Sequence, residues 1–335
     1  MGAAFHWHRA RARWERRRWG GVHGRFLERT LQTRQLDAAA CFSGYRKLFV
    51  VGCPRSGTSW IRDILQLHPR VVSGFESHAY PSVYEALRDA DPREHDAGQA
   101  LLERVRREHD AGAVGLARYI GAAPLAQLLD AALARWRAEP TWTWRDTAGW
   151  LVHAIFDRYF TLVGGRPRDL FVEKTPQHVR FAEEILRDFP EARIVHVLRD
   201  GRDVCVSMQI RAMGADWSPT DRRTQIELWR DSVERGLRIL ERHPERTFGL
   251  RYEDVKADPA GEIARLYDFA GLPHDPARII RAARDSDFSR HARTGDGLHL
   301  RKGVVGDWQN HFDRSDEVLF DSLVGELSRR CGYGS

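Results

Sequence analysis

The chain has 335 residues, 42% of them apolar and 10% aromatic, which is enough for a buried core in one large domain or two small ones and excludes a disordered polymer. Eight arginines against Glu15 and Glu28 give residues 1–30 the whole formal charge of +6, so the remainder is neutral and carries no basic footprint for nucleic acid. Four cysteines without a CxxC pair or zinc-ligand spacing argue for a reducing compartment and no structural metal, and the absence of any run of about 20 apolar residues or of an apolar signal core leads us to expect a cytoplasmic protein, at most peripheral to a membrane.

Residues 1–44 form a basic N-terminal arm. Trp7, Ala10 and Trp14 fall on one side of a helical projection, arginines cover most of the rest, and Gly20, Gly21 and Gly24 interrupt it. This pattern reads either as a solvated arm or as a basic amphipathic helix, within residues 1–30, for an anionic membrane surface or partner. From Tyr45 the pattern changes. Lys47–Val51 is apolar enough for a strand, a glycine-containing turn follows, and Trp60, Ile61, Ile64 and Leu65 recur at helical spacing, giving strand, loop, helix.

Residues 83–163 are mostly helical in pattern, most clearly from about Trp144 to Val163, and Gly164-Gly165-Arg166-Pro167 ends the run. A second strand is expected at Leu170–Glu173, followed by Thr175-Pro176, which reads as an N-cap with proline at the first helical position. After a helix through Ile185 and Leu186, the β-branched run Arg193–Leu198 reads as a buried parallel strand. A helix carrying Ile226, Trp229, Val233, Leu237 and Leu240 comes next, and a last strand precedes Arg251-Tyr252-Glu253-Asp254. Strands alternating with helices imply a parallel sheet covered on both faces, with ligands bound at the carboxyl ends of the strands.

Gly52-Cys53-Pro54-Arg55-Ser56-Gly57-Thr58-Ser59 lies between a strand and a helix, where backbone N–H groups and a helix N-terminus cradle a phosphate. In a nucleoside-triphosphate P-loop a lysine follows the second glycine and reaches the β- and γ-phosphates. Here that position is Thr58, and a cation stands inside the loop as Arg55. A nucleotide with a single 5′-phosphate-linked group and no metal fits this loop better than ATP with magnesium.

Pro54-Arg55-Ser56-Gly57-Thr58-Ser59-Trp60 resembles the 5′-phosphosulfate loop of the sulfotransferase family at every position. The resemblance implies an α/β, P-loop NTPase-like three-layer fold with a central parallel sheet, occupying residues 45–335, in which a helical insertion of about residues 77–168 covers the substrate. It implies 3′-phosphoadenosine 5′-phosphosulfate as donor and 3′-phosphoadenosine 5′-phosphate (PAP) as product, with no metal. Arg55 would contact the bridging oxygen, Thr58 and Ser59 the 5′-phosphate, and Trp60 the adenine, an ordinary helix-core role for Trp60 being the alternative.

A second block, Leu198–Ser207, is similar to the family's 3′-phosphate site and gives that role to Arg199 and Ser207. A third, Arg301-Lys302-Gly303-Val304-Val305-Gly306-Asp307-Trp308, resembles a segment best known from cytosolic sulfotransferases, with Arg301 and Lys302 neutralising the 3′-phosphate while Gly303 admits the backbone. Gln309 departs from the cytosolic pattern, and no dimerisation signature is recognisable in residues 309–318, so a homodimer of that type is not expected. Tyr252 matches the family's adenine-side tyrosine, while Glu253 and Asp254 read as a cap for the next helix.

Lys174 occupies the family's strand-end lysine position, but the histidine that cytosolic members carry two residues later is Pro176 here. His68–Glu76 instead resembles the segment that bears a catalytic glutamate in tyrosylprotein sulfotransferases. Glu76 is therefore expected to be the general base, with Arg55 and Lys174 as catalytic cations and with His178 and His78 as the alternative bases; on its own, His178 reads as a surface helix residue. The expected reaction is sulfuryl transfer to a hydroxyl or amine of a small-molecule, lipid or glycan acceptor. A P-loop small-molecule kinase and a catalytically inactive nucleotide-binding protein are the competing readings.

Overall fold

The computed structural model describes residues 45–74, 76–88, 103, 115–166, 169–213, 218–286 and 303–334. The expected basic arm 1–44, part of the expected helical stretch after residue 88, and Arg301 and Lys302 lie outside the described residues. In chain order the elements are β1 (Arg46–Gly52), α1 (Thr58–Gln66), β2 (Val71–Ser73), α2 (Ala79–Leu87), α3 (Leu116–Tyr119), α4 (Ala122–Ala138), α5 (Trp144–Leu162) and β3 (Leu170–Lys174). A 3-10 helix at Pro176–Phe181 leads to α6 (Ala182–Asp188), β4 (Arg193–Leu198), α7 (Gly201–Ala212), α8 (Arg222–Arg242), β5 (Thr247–Arg251), α9 (Tyr252–Ala257), α10 (Pro259–Ala270) and α11 (Pro276–Asp285). A second 3-10 turn at Asp307–Asn310 precedes α12 (Arg314–Arg330).

The strands form one sheet in the order β2-β3-β1-β4-β5, and β1, β4 and β5 pair in parallel, with Val50 opposite Val195 and Val195 opposite Phe248. Lys47–Gly52 and Ile194–Leu198 are buried throughout. That continuous burial is why these runs read as apolar rather than alternating: a parallel strand covered on both faces has no side to turn to water. The edge strand β5 is only half buried.

The chain divides into two compact units. The first takes in Gly74–Glu173 and Arg187–Pro190, with Tyr45 and Arg46. Its centre is α5, buried along most of its length and started by a capping box in which the Thr143 hydroxyl accepts the Asp146 N–H while the Asp146 carboxylate accepts the Thr143 N–H. Around α5 aromatic rings pack in series: Tyr45 stacks on Phe160 at 3.9 Å and Tyr119 on Tyr159 at 3.8 Å, and the Tyr45 hydroxyl donates to Asp157 at 2.6 Å.

The second unit comprises Lys47–Ser73, Lys174–Leu186 and Glu191–Ser335. Its apolar cluster gathers Val204, Met208, Ile226, Trp229, Val233, Phe320 and Val324 from α7, α8 and α12. Three buried free cysteines, Cys53, Cys205 and Cys331, belong to it. Among the described residues no helix is long and apolar enough to cross a membrane.

His196 sits in the middle of β4 at 1% exposure, and a Cβ at Gly236 would collide with its ring. Burial pushes its pKa down to about 4, against a hydrogen bond with the Ser232 backbone that raises it. The unfolded chain, with a histidine near 6.5, therefore binds more protons between about pH 6.5 and pH 4, and the folded state loses about 3 kcal/mol as pH falls through that window. Urea midpoints of the His196→Leu variant should accordingly depend less on pH across this range than those of the parent. Parallel pH curves for the two proteins would refute a neutral buried imidazole.

Candidate functional site

The loop after β1 turns on a hydrogen bond from the Ser56 N–H to the Cys53 carbonyl at 3.1 Å. Arg55 within it holds φ 74, a left-handed conformation that costs a non-glycine residue on the order of 1–2 kcal/mol and concentrates at functional sites. Gly57, at φ 100, is the N-cap of α1 and supplies no side-chain cap, so the first N–H groups of α1 point to whatever lies beyond the loop. A Cβ on Gly57 would stand 2.6 Å from the Tyr252 ring; glycine is what lets that ring lie against the loop. Pro54, Ser56, Thr58 and Trp60 are buried, and Ser59 is half-buried in the first turn of α1.

The 198–207 block closes on this loop. Arg55 Nε donates to Ser207 Oγ at 3.1 Å, and Arg199 donates through Nη1 to the Arg55 carbonyl at 3.4 Å and through Nη2 to the Val304 carbonyl at 3.1 Å. The Arg199 guanidinium lies 4.5 Å over the Tyr252 ring. Tyr252 donates its hydroxyl to the Gly303 carbonyl at 3.2 Å and meets Trp60 edge to face at 5.1 Å. Trp60 donates Nε1–H to the Ser286 carbonyl at 2.9 Å. Burial raises the Tyr252 pKa, the Arg199 cation opposing, so the phenol stays protonated and able to donate.

The four motif blocks thus converge through Arg55, Arg199, Ser207, Tyr252, Trp60 and Gly303. Sequence reasoning missed what binds them together. Asp203, buried at 1% exposure, accepts the Gly306 and Trp308 N–H groups at 2.9 Å each and lies 3.5 Å from Arg199 Nη2. Its only sequence signal is an acid four residues after Arg199 in a helix start. Glu253, read as a helix cap, instead accepts the Asp200 N–H at 3.0 Å and the Tyr333 hydroxyl at 2.8 Å; the cap of α10 is Asp258.

Two buried donors in this group have no hydrogen-bond partner among the described residues, Ser56 Oγ and Arg199 Nε. A buried polar atom without a partner costs roughly 1–3 kcal/mol. Together with the uncapped start of α1 they form a donor set that fits phosphate groups, one at the 53–59 loop and one at Arg199 and Ser207.

Lys174 ends β3 with a buried side chain and belongs to the same unit as Arg55. Thr175 and Pro176 start a helix as expected, but it is a 3-10 helix without a side-chain cap bond. His178 is fully buried, its ring tilted against Phe49 at 6.4 Å, which corrects its reading as a surface residue: the tighter 3-10 turn directs position 178 toward β1.

Glu76 belongs to the other unit, on the loop between β2 and α2. Its neighbour Ser77 is buried and donates both N–H, at 3.3 Å, and hydroxyl, at 2.8 Å, to Glu173 Oε1, while Ser77 Oγ accepts the Ala79 N–H at 3.2 Å. His78 adopts the left-handed region at φ 51 and brings Nε2 to 3.4 Å from Glu76 Oε2. The Glu76 side chain keeps 30% of its surface exposed, so a carboxylate fastened through its neighbour still faces outward.

The family model of the sulfotransferase family matches residues 47–276. The chain is 24% identical over 194 residues to cytosolic sulfotransferase 4 of Arabidopsis thaliana, covering 54% of this chain and 65% of that protein's length, and 25% identical over 221 residues to sulfotransferase 2A1 of Rattus norvegicus, covering 57% and 75%. In fold it is similar to mouse sulfotransferase SULT7A1 complexed with PAP, at a TM-score of 0.51 and 16% identity over 90% of this chain and 94% of that one.

Proposed function

The chain belongs to the sulfotransferase family, and from that membership we propose that it transfers a sulfuryl group from 3′-phosphoadenosine 5′-phosphosulfate to a hydroxyl or amine of an acceptor. The observation that carries the reading is the convergence of the 53–59 loop, the Arg199 turn and the Gly303–Val304 backbone around two partnerless buried donors. The bound donor supplies the sulfuryl group and a phosphate leaving group.

The chain's own residues supply the rest. The N–H groups at the start of α1, Ser56, Thr58 and Ser59 hold the 5′-phosphate, and Arg55 and Lys174 offset the charge that develops during in-line displacement. Arg199 and Ser207 hold the 3′-phosphate with Arg301 and Lys302, Gly303 lets the backbone approach it, and Trp60 and Tyr252 flank the adenine. Glu76 takes the acceptor proton. Half-buried Trp136, Trp142, Trp144 and Trp150 suit an apolar small-molecule, lipid or glycan acceptor carried by the first unit.

Incubation with labelled donor and an acceptor library should release PAP and label an acceptor. Chelation with EDTA should lower the rate by less than about twofold, because Thr58 replaces the lysine of a nucleoside-triphosphate loop and side-chain cations take the place of magnesium. A strict requirement for a divalent ion, together with turnover of ATP, would favour a small-molecule kinase; PAP binding without any turnover would favour an inactive nucleotide-binding protein.

A further inference from the structure

The peptide unit between Arg199 and Asp200 is held at both of its polar ends. The Arg199 carbonyl accepts Trp229 Nε1–H at 3.0 Å, and the Asp200 N–H donates to Glu253 Oε1 at 3.0 Å. Fixing this plane fixes the direction in which the Arg199 side chain leaves the end of β4. Glu253 is fixed in turn, because its second oxygen accepts the Tyr333 hydroxyl at 2.8 Å. Burial raises the Glu253 pKa, and both hydrogen bonds favour its charged form.

Residues 333 and 334 grip the same turn a second time. Arg202 makes a two-point contact with the Asp200 carboxylate at 3.0 and 2.7 Å, lies 3.9 Å over the Trp308 ring, and donates through Nη2 to the Gly334 carbonyl at 2.9 Å. Tyr333 itself is anchored at the end of α12, where its N–H donates to the Ser328 carbonyl at 3.0 Å and the Arg251 guanidinium covers its ring at 4.7 Å. Trp229, Glu253, Tyr333 and Gly334 are not among the residues assigned to the nucleotide, yet through Asp200 and Arg202 all bear on Arg199, whose Nε has no hydrogen-bond partner among the described residues.

We infer that Glu253 and Tyr333 are positioning residues that aim Arg199 at the 3′-phosphate, so that the segment after α12 sets the enzyme's preference for a 3′-phosphorylated nucleotide. This rests on the reading of Arg199 as a 3′-phosphate ligand. Neither residue touches the nucleotide: Glu253 acts through the Asp200 N–H and Tyr333 through Glu253.

The test is calorimetric binding of PAP and of adenosine 5′-phosphate to the full chain and its variants. Glu253→Ala should weaken PAP about 10–100-fold and Tyr333→Phe about 3–10-fold, while adenosine 5′-phosphate affinity changes less than about twofold. Glu253→Gln, which keeps an oxygen for the Asp200 N–H, should recover most of the loss. If Glu253→Ala does not fold, Tyr333→Phe alone decides. Equal weakening of both nucleotides marks a merely structural role and overturns the proposal, as does no weakening of either. Arg199→Ala separates the premise from the inference. If it weakens PAP and adenosine 5′-phosphate equally, the 3′-phosphate reading falls and the inference with it; if it weakens PAP selectively while the Glu253 and Tyr333 variants do not, the inference alone falls.

Discussion

Replacing Glu76 with glutamine is expected to lower turnover by about 10²–10⁴-fold while leaving PAP affinity within about twofold of the parent. Glutamine keeps the shape of the side chain and cannot accept a proton. The loop should hold its course, because the hydrogen bonds of Ser77 to Glu173 and of Ala79 to Ser77 do not involve the Glu76 side chain. Steady-state rates on a good acceptor, measured beside PAP binding, give the split. Near-normal turnover in Glu76→Gln would reject this residue as the base and direct attention to His78, 3.4 Å away, and to His178. Arg55→Ala should behave differently. Arg55 hydrogen-bonds Ser207 through its side chain and receives Arg199 on its carbonyl, so its loss should damage donor binding and turnover together.

Removing the 3′-phosphate from the nucleotide should cost about 10²–10⁴-fold in affinity. Arg199, Ser207, Arg301 and Lys302 would then face no anion, and charge-assisted contacts of about 1.5–3 kcal/mol each are at stake, partly recovered by water. Calorimetry comparing adenosine 5′-phosphosulfate with its 3′-phosphorylated form measures the difference directly. Because a guanidinium and a phosphate attract less as salt screens them, the gap should narrow as ionic strength rises. Equal affinity for the two nucleotides would show that neither the Arg199 block nor the Arg301 block recognises a 3′-phosphate, and the donor assignment would fall with them.

Much of this was legible in the chain because it is local. β1, the 53–59 loop and α1 follow from an apolar run, a glycine and a helical repeat within about 20 residues, and the buried strand β4 follows from its β-branched composition. The helix from Trp144 was legible for the same reason, its apolar residues recurring at helical spacing up to Val163. His178 was misread because a 3-10 turn and an α-helix share the Thr-Pro start, and only packing against Phe49 decides which face is buried. Glu253 was misread because an acid in the first helical turn is a common capping signal, and the sequence does not record that strand and helix ends bring Asp200 and Tyr333 to its two oxygens.

The sequence by itself determined the order of the four motif blocks, the strands that present them and the presence of Thr58 where a P-loop has its lysine, since each is written in neighbouring residues whose backbone must turn, cap or extend in a prescribed way. The tertiary structure alone decided how those blocks are aimed. Asp203 reaches Gly306 across 103 positions, Tyr333 reaches Glu253 across 80 and Gly334 reaches Arg202 across 132. Contacts at such separations form only when the sheet brings its strand ends together, and a buried carboxylate is stable there only because every one of these distant partners arrives with it.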